Sequence, residues 1–487
     1  MKKTRILFAG LLFPLFGLAQ NVGIGNNNPQ SKLHINGGGL LVEGVTGNTP
    51  IIGTGVRFMW VPAKRALRAG EVIDPNWNDA NIGIASTAFG SNTRALGDYS
   101  FAVGSATDAR AEGSVAMGHM TIASGNYSFA MGSFTTASGN SSIAMGDFSE
   151  ASGNSSVAMG NIAHANRISS LAIGFGANAD GDYSIALGSL AHALSEQSIA
   201  LGDHCYSGDP NSVAIGFNAR AEAISAVSIG TETKAMANYS LAMGRQSEVY
   251  GVNAFASGYN TRAMAPYSIA MGYESIANGS WSMAAGASNK TDGNYSAAFG
   301  TGLIAKHWGG VVVGTYNDTT VTGSMTTPSE FNRLFQIGAG ANEASRRNVM
   351  TVTYIGNVGI GVTNPDEKLH VQGDGKFSGD IFVHNNKGIV RSTVSTQQKI
   401  LHANVTVNIP GMAANASTTI AVIWPESFSN VPVAFVGNIV TAIGGWAEVD
   451  MSLSSVTATG ATLWIHNTNG AVQNKNFTVN IIAIGSE

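Results

Sequence analysis

The chain has 487 residues, room for more than one domain, and its 26 Lys and Arg against 30 Asp and Glu give a net charge of −4. Charged residues are only 11% and 61 glycines stand beside 12 prolines, which excludes a charged disordered chain and, with no basic run, a nucleic-acid binder. A single cysteine, Cys205, excludes an intrachain disulfide, so stability must come from packing or association, and that thiol reads as a small apolar filler.

Residues 1–20, "MKKTRILFAGLLFPLFGLAQ", join a basic start to an apolar stretch from Ile6 to Leu18 and a small-x-small exit at Gly17 and Ala19. This is the pattern of a secretory signal, shorter than the ~18–20 apolar residues of a membrane span. It predicts a secreted or outer-cell-surface protein with no transmembrane segment once the signal is removed. Residues 21–84 read as a joint and cap. "NVGIGNNNPQSKLHINGGG" opens this segment, and Phe58, Trp60 and Trp77 read as an apolar plug for whatever follows.

Residues 85–316 repeat with a strict period. Glycine recurs every 14 residues from Gly90 to Gly314, at 17 positions, with alanine two before it in 15 and serine four before it in 14. Two alternating segments per 14 residues mean two strands and two tight turns per coil, a parallel β-roll. In "GNYSFAMGSFTTASGNSSIAMGDF", Ser128, Ala130 and Gly132 share one face and Phe129 and Met131 the other; Ser142, Ala144 and Gly146 split likewise from Ile143 and Met145. In the second strand the small residues Ala137 and Gly139, or Ala109 and Ala111, alternate with polar neighbours. Small faces fill the narrow coil, and the large face of the first strand is left outside it. That stripe, Phe101, Val103, Val115, Met117, Phe129 and Met131, then Ile143, Met145, Val157 and Met159, exceeds what a soluble monomer exposes, so it predicts burial against other copies of the chain.

These S-x-A-x-G repeats resemble the head repeats of trimeric autotransporter adhesins, the YadA-like and haemagglutinin-type left-handed β-roll. The resemblance implies left-handed coils, a homotrimer and a role in cell adhesion. Unlike those adhesins, this chain ends in "FTVNIIAIGSE" with no anchor-barrel signature.

Residues 317–393 read as a neck followed by a second copy of the opening motif, "NVGIGVTNPDEKLHVQGDG" from Asn357. Each copy predicts a short strand, an Asn-Pro turn and a strand Lys-Leu-His-Val/Ile. It resembles a segment of exported fibre-like proteins of Bacteroidetes and of phage tail-fibre shafts, which implies a trimeric joint and, for His34 and His370, a structural role.

Residues 394–487 lose the period and predict an antiparallel β-sandwich with strands near Val405–Ile409, Thr418–Trp424, Val431–Val440, Glu448–Leu453, Ala461–His466 and Phe477–Ile484. The fold class is therefore all-β, a roll followed by a sandwich. "FSNVPVAFVGNI", "VTATGATLWIHNT" and "FTVNIIAIG" resemble the H-type lectin domain, which implies a carbohydrate-binding tip. Sugars are held by aromatic faces and convergent amide or hydroxyl groups, which singles out Trp446, after the loop signal "IGG", with His466, Asn467 and Asn469. Trp424 and Trp464 lie in strands and read as core.

No catalytic signature is present: no H-E-x-x-H, no phosphate loop, no G-x-S-x-G elbow. Asp108, Glu112, Asp147 and Glu150 read as solubilising charges on the wet strand rather than an acid–base pair. His164 and His192 share one phase two coils apart, on the order of 10 Å, too far to ligate one metal. No metal, no cofactor and no enzymatic activity are expected. Thr136 is out of phase with Thr107 and Thr135, and threonine does not recur in every coil, against an ice-binding face. The reading is an exported, trimeric fibrous adhesin that meets a glycan or other surface receptor through its C-terminal domain; the alternative is a purely structural fibre or tail-fibre-like component.

Overall fold

The computed structural model describes residues 21–50, 53–73, 75–320, 322–376, 378, 387–391, 397–442, 449–468 and 473–486; the secretory signal expected at residues 1–20 lies outside them. The chain divides into two compact units, residues 1–373 and 374–487. Among the described residues no helix is long and apolar enough to cross a membrane.

The first unit is built on the 14-residue coil. Seventeen first strands, from Thr87–Ser91 to Val311–Thr315, stack as a parallel sheet in which each residue lies against its counterpart 14 positions on, as in Phe129 on Ile143 and Met131 on Met145. Sixteen two-residue second strands, from Arg94–Ala95 to Ile304–Ala305, form the opposite sheet. At ~4.8 Å per step the stack is on the order of 75 Å long. The all-β roll that the period predicts is therefore the observed fold.

Each repeated residue type has a local cause. The alanines, Ala130 and Ala137 in one coil and Ala144 and Ala151 in the next, have no exposed surface and are all the space between the sheets admits. The glycine takes a backbone conformation that L residues avoid, φ +133° at Gly132, and a Cβ there would stand 1.7 Å from the Gly146 carbonyl oxygen. The serine closes a corner: Ser184 Oγ donates to the Gly181 carbonyl at 2.7 Å, and Ser268 Oγ to Ala265 at 2.6 Å. Ser184→Ala is expected to cost about 1 kcal/mol, read as faster amide exchange in the coils around it. Corners also hold non-glycine residues with left-handed φ, Phe134 and Ser141 both at +54°. Their N–H groups donate to the preceding coil, at His119 O (2.9 Å) and Asn126 O (2.8 Å), which offsets the strain. The Gly-Asn and Gly-Asp pairs have a related use, since Asn154 Oδ1 accepts from the Asn140 N–H one coil back at 3.0 Å.

Cys205 fills space in the alanine core as expected and has a second role. It is fully buried, and at the same corner position Ser149 donates to Gly160 O, and Cys205 Sγ likewise lies 3.1 Å from Gly216 O and 3.2 Å from Leu201 O. The thiol therefore stands in for a corner hydroxyl as well as filling space.

The N-terminal end is closed differently from the expected plug. The hairpin Gly55–Val61 and Ala66–Val72 continues the first-strand sheet, with Leu67 on Thr87 and Ala69 on Phe89. Alternation turns Met59 and Val61 inward and leaves Phe58 and Trp60 outward, 74% and 37% exposed. Trp77 does pack into the end, and its Nε1–H donates to the Thr93 carbonyl at 2.8 Å. Beside it Arg68, with no exposed surface, donates to Ser86 O (3.0 Å), Ser86 Oγ (2.8 Å) and Ala95 O (3.1 Å). Burial lowers its pKa to about 10, still protonated at neutral pH. Arg68→Ala is expected to lose about 3 kcal/mol of local stability by orphaning these carbonyls, seen as early melting of the first coils.

At the other end, Asn317, fully buried, pairs with the backbone of the last second strand: its Oδ1 accepts from Ile304 N–H at 2.8 Å and its Nδ2 donates to Ile304 O at 3.0 Å. Arg333–Ala339 then extends the long sheet in parallel with Val311–Thr315 and turns back through Asn348–Thr353. Buried Arg333 pairs with Asp318 (3.3 Å) and donates to Asn364 Oδ1 (3.0 Å), tying the Asn-Pro turn of the second joint motif to the roll. Burial alone would raise the Asp318 pKa, but the Thr320 hydroxyl and N–H and the Arg333 cation outweigh it and hold the carboxyl below its usual value. A carboxyl lowered on folding stabilises above its unfolded pKa and loses that contribution as pH falls through the folded one. The gap in melting temperature between the native chain and Asp318→Asn should therefore shrink as pH drops from 7 to about 3.

Both joint motifs fold alike: Val22–Ile24 pairs in parallel with Leu33–Ile35, and Val358–Ile360 with Leu369–Val371. A Cβ on Gly23 or Gly359 would meet the turn carbonyl of Asn26 or Val362 at 2.1 and 2.5 Å, which explains the fixed N-V-G-I-G. The histidines reach back to the turn, His34 to Asn26 Nδ2 (3.0 Å) and His370 Nδ1 to Asp366 Oδ1 (2.6 Å).

The second unit has two antiparallel sheets. One runs Lys387–Arg391, Gln397–Met412, Gln473–Ser486, Val433–Ala442; the other Ser417–Ile423, Gly460–Asn467, Val449–Ser454. Leu401, Val407, Val422, Trp424, Leu463, Ile465, Val479 and Ile481 form the core. The strand expected at Val405–Ile409 is much longer, because Gln473–Ser486 pairs along nearly all of it.

Candidate functional site

Two surfaces are candidates. The first is the outer face of the long sheet. Phe101, Val103, Val115, Met117, Phe129, Met131, Met145, Val157 and Met159 are half-exposed and Ile143 is exposed, all on one face and in register from coil to coil. Beyond the stretch read from sequence, the face continues through Ile173, Met271 and Phe299, 38%, 38% and 42% exposed. It also continues past both ends of the period. Phe58 lies on Ala69 and so on the column of Phe89, while Val311 and Val313 are followed by Phe335 and Ile337. The extension was hidden in the sequence because the hairpin lacks the S-x-A-x-G frame.

The opposite sheet carries charge in stacked pairs. Asp108 is not the solvated charge that its position implied: it is 3% exposed, clamped between Arg94 one coil back and Arg110, whose Nε lies 2.6 Å from Oδ2. Glu112 accepts from the Tyr127 hydroxyl at 3.0 Å, which raises the tyrosine pKa, and Glu150 faces His164 at 3.8 Å. Glu248 is bracketed by Lys234 (2.8 Å) and Arg262 (3.4 Å). His164 and His192 are separated by Asn178 in the ladder, and burial lowers the pKa of His192 against the opposing pull of Asp180.

The second surface is in the C-terminal unit. Trp446 and Asn469 lie outside the described residues. Asn467 is fully buried and its Nδ2 donates to Met412 O (3.2 Å) and Ala413 O (3.0 Å), so it braces the sandwich edge rather than facing a ligand. His466 does face outward, its ring parallel to Trp464 within 5° at 5.2 Å and its Nδ1 2.9 Å from Ser417 Oγ. Trp424 is core, as expected, but Trp464 is half-exposed. The signal was available: in Leu463-Trp464-Ile465-His466 the two aliphatic residues claim the inner face and alternation sends the rings out.

The YadA head domain repeat matches residues 82–107, 109–135, 137–163, 165–191, 179–204, 210–233 and 235–261. These coils match the YadA head repeat. The matches cover the front and middle of the roll, and the same register carries the YadA-type stack on to Gly314. No curated protein matches the chain. Among solved structures, an N-truncated R1-type pyocin tail fibre is 18% identical, with 20% of this chain and 85% of that chain covered and a TM-score of 0.15. An R1 pyocin fibre of P. aeruginosa is 19% identical over 20% of this chain and 28% of that one, TM-score 0.14. The Gp54 tailspike of Acinetobacter baumannii bacteriophage AP22, solved with a capsular saccharide, is 10% identical over 85% of this chain and 66% of that one, TM-score 0.15.

Proposed function

We propose that this chain is an exported fibrous adhesin that works as a homotrimer, with the YadA-type roll as its shaft and the C-terminal unit as a carbohydrate-binding module for cell surfaces or matrix. The observation that carries the reading is the apolar outer face of the long sheet, continuous over 17 coils and into both flanking hairpins. It is far larger than the few hundred Å² a soluble monomer tolerates. Three is the number that the resemblance to trimeric autotransporter heads implies. Three weak sites carried together gain avidity without a tight single contact. The charged side chains of the roll serve stacking, so the chain acts as a binder rather than an enzyme. The H-type-lectin-like reading of residues 394–487 rests on their strand pattern and on Phe428, Pro432, Val433 and Gly460.

A structural fibre without its own ligand is the second reading, favoured by one observation. The outer face of the four-stranded sheet exposes Val433 and Phe435 at 62% and 54%, with Val431 just before the strand at 65%, a surface suited to self-association. Light scattering on the mature chain should give three chain masses; a monomer would sink the trimer. Probing an array of surface glycans with that trimer separates the two readings, binding supporting the adhesin and silence at high valency the structural fibre.

A further inference from the structure

We propose that the outer face of the three-stranded sheet in the C-terminal unit, centred on Trp464 and His466, binds an uncharged pyranose at the end or edge of a surface glycan. The inference rests on the adhesive reading above and gives its ligand a place and a chemical class.

The face is assembled by register. Thr419 and Ser452 flank Trp464 on the two neighbouring strands, and Ser417 and Asp450 flank His466. All four flanking residues are exposed, while Ile465 and Met451, the alternate residues on two of the strands, pack into the core. The two rings are parallel and the imidazole is fixed by Ser417 Oγ at 2.9 Å, so the aromatic surface is held in one orientation before any ligand arrives. An apolar ring face with hydroxyls and one carboxylate at cross-strand distance matches a pyranose, whose C–H face stacks on an aromatic ring while its rim hydroxyls seek acceptors and donors.

Charge narrows the class. These six residues hold no lysine or arginine, and the Asp450 carboxylate is exposed on the face. A carboxylate accepts two sugar hydroxyls well and repels a sialic or uronic acid. A protein partner is less suited, because the apolar area that protein association needs lies on the other sheet, at Val433 and Phe435 and at Val431 just before that strand, with half-exposed Ile482 and Ile484. The sandwich thus has one outer face for copies of itself and one for a polar, ring-shaped ligand.

The test uses the full mature chain on an array of galactose-, glucose- and mannose-terminated oligosaccharides beside sialylated and uronate-terminated ones. The native protein should bind a neutral set, and Trp464→Ala should weaken that binding at least about tenfold with the same mass by light scattering. His466→Ala, which leaves Leu463 and Ile465 in place, is the second variant should Trp464→Ala fold poorly, and it should weaken binding in the same direction. Native protein that binds no glycan overturns both the adhesive reading and this site. Native protein that binds while both folded variants bind equally overturns the site alone, as does a preference for acidic glycans. A variant that changes the oligomeric mass would make this face an assembly contact and overturn the site as well.

Discussion

Met131→Glu combined with Met145→Glu is expected to convert the assembled protein to single chains or to soluble aggregate, read as a fall from three chain masses by light scattering. The two side chains are stacked in register on the apolar face, in the fourth and fifth of the seventeen coils, and are half-exposed in the single chain. In an assembly each carboxylate would be enclosed against the same face of a neighbour, with no cation within the stripe to receive it. Burying an unpaired carboxylate costs several kcal/mol, and a symmetric assembly pays that cost in every copy. The coil itself should survive, because Ala130 and Ala144 inside it are untouched. Retained mass in a folded double variant would show that the stripe is not the contact. Thr136→Glu, on the half-exposed second strand, is the control and should leave the mass unchanged.

Gly146→Ala is expected to damage the roll severely for a single added methyl. The residue sits at φ +117°, and the added carbon would stand 1.7 Å from the Gly160 carbonyl oxygen, which belongs to a backbone held by the next coil. The conformational penalty is about 1–2 kcal/mol and the steric displacement adds about as much again or more, for a loss near 3–4 kcal/mol. Coils touch only their neighbours, so the damage should be local: new protease cleavage and rapid amide exchange around residues 132–160, with the distant coils still protected. Uniform destabilisation along the roll would contradict a nearest-neighbour stack.

The roll was legible because its constraints are absolute. A carbonyl packed against an α-carbon admits only glycine, a gap one methyl wide admits only alanine, and both recur at the coil length, so the period shows through a single sequence. The ends were not legible in the same way. Phe58 and Trp60 are large and apolar and sit near the start of the stack, which made a plug the natural reading; the alternation in Arg57-Phe58-Met59-Trp60-Val61 decides otherwise, and it becomes evident only once the hairpin is known to continue the sheet. Arg68 and Asn317 are invisible to any apolar pattern, since what they match is a set of unpaired backbone groups. In the C-terminal unit the same error recurred in reverse. Position in a strand points Trp464 to the core, and polarity near a strand end points Asn467 to a ligand. Leu463 and Ile465 had already filled the inner face, and the Met412 and Ala413 carbonyls needed a donor.

The closed ends of the roll bear on what the molecule refuses to do. A stack of parallel strands is, at each end, a template on which another strand can be added, and seventeen identical rungs would otherwise make a good seed for unlimited growth. The Trp77 indole and the Arg68 guanidinium occupy the acceptors at one end, and the Asn317 amide occupies both backbone groups of Ile304 at the other. Lateral contact along the apolar face is thereby left as the route of assembly, with a finite partner number, and end-on growth is opposed on the short-strand sheet by three side chains and on the long sheet by the hairpins that continue it.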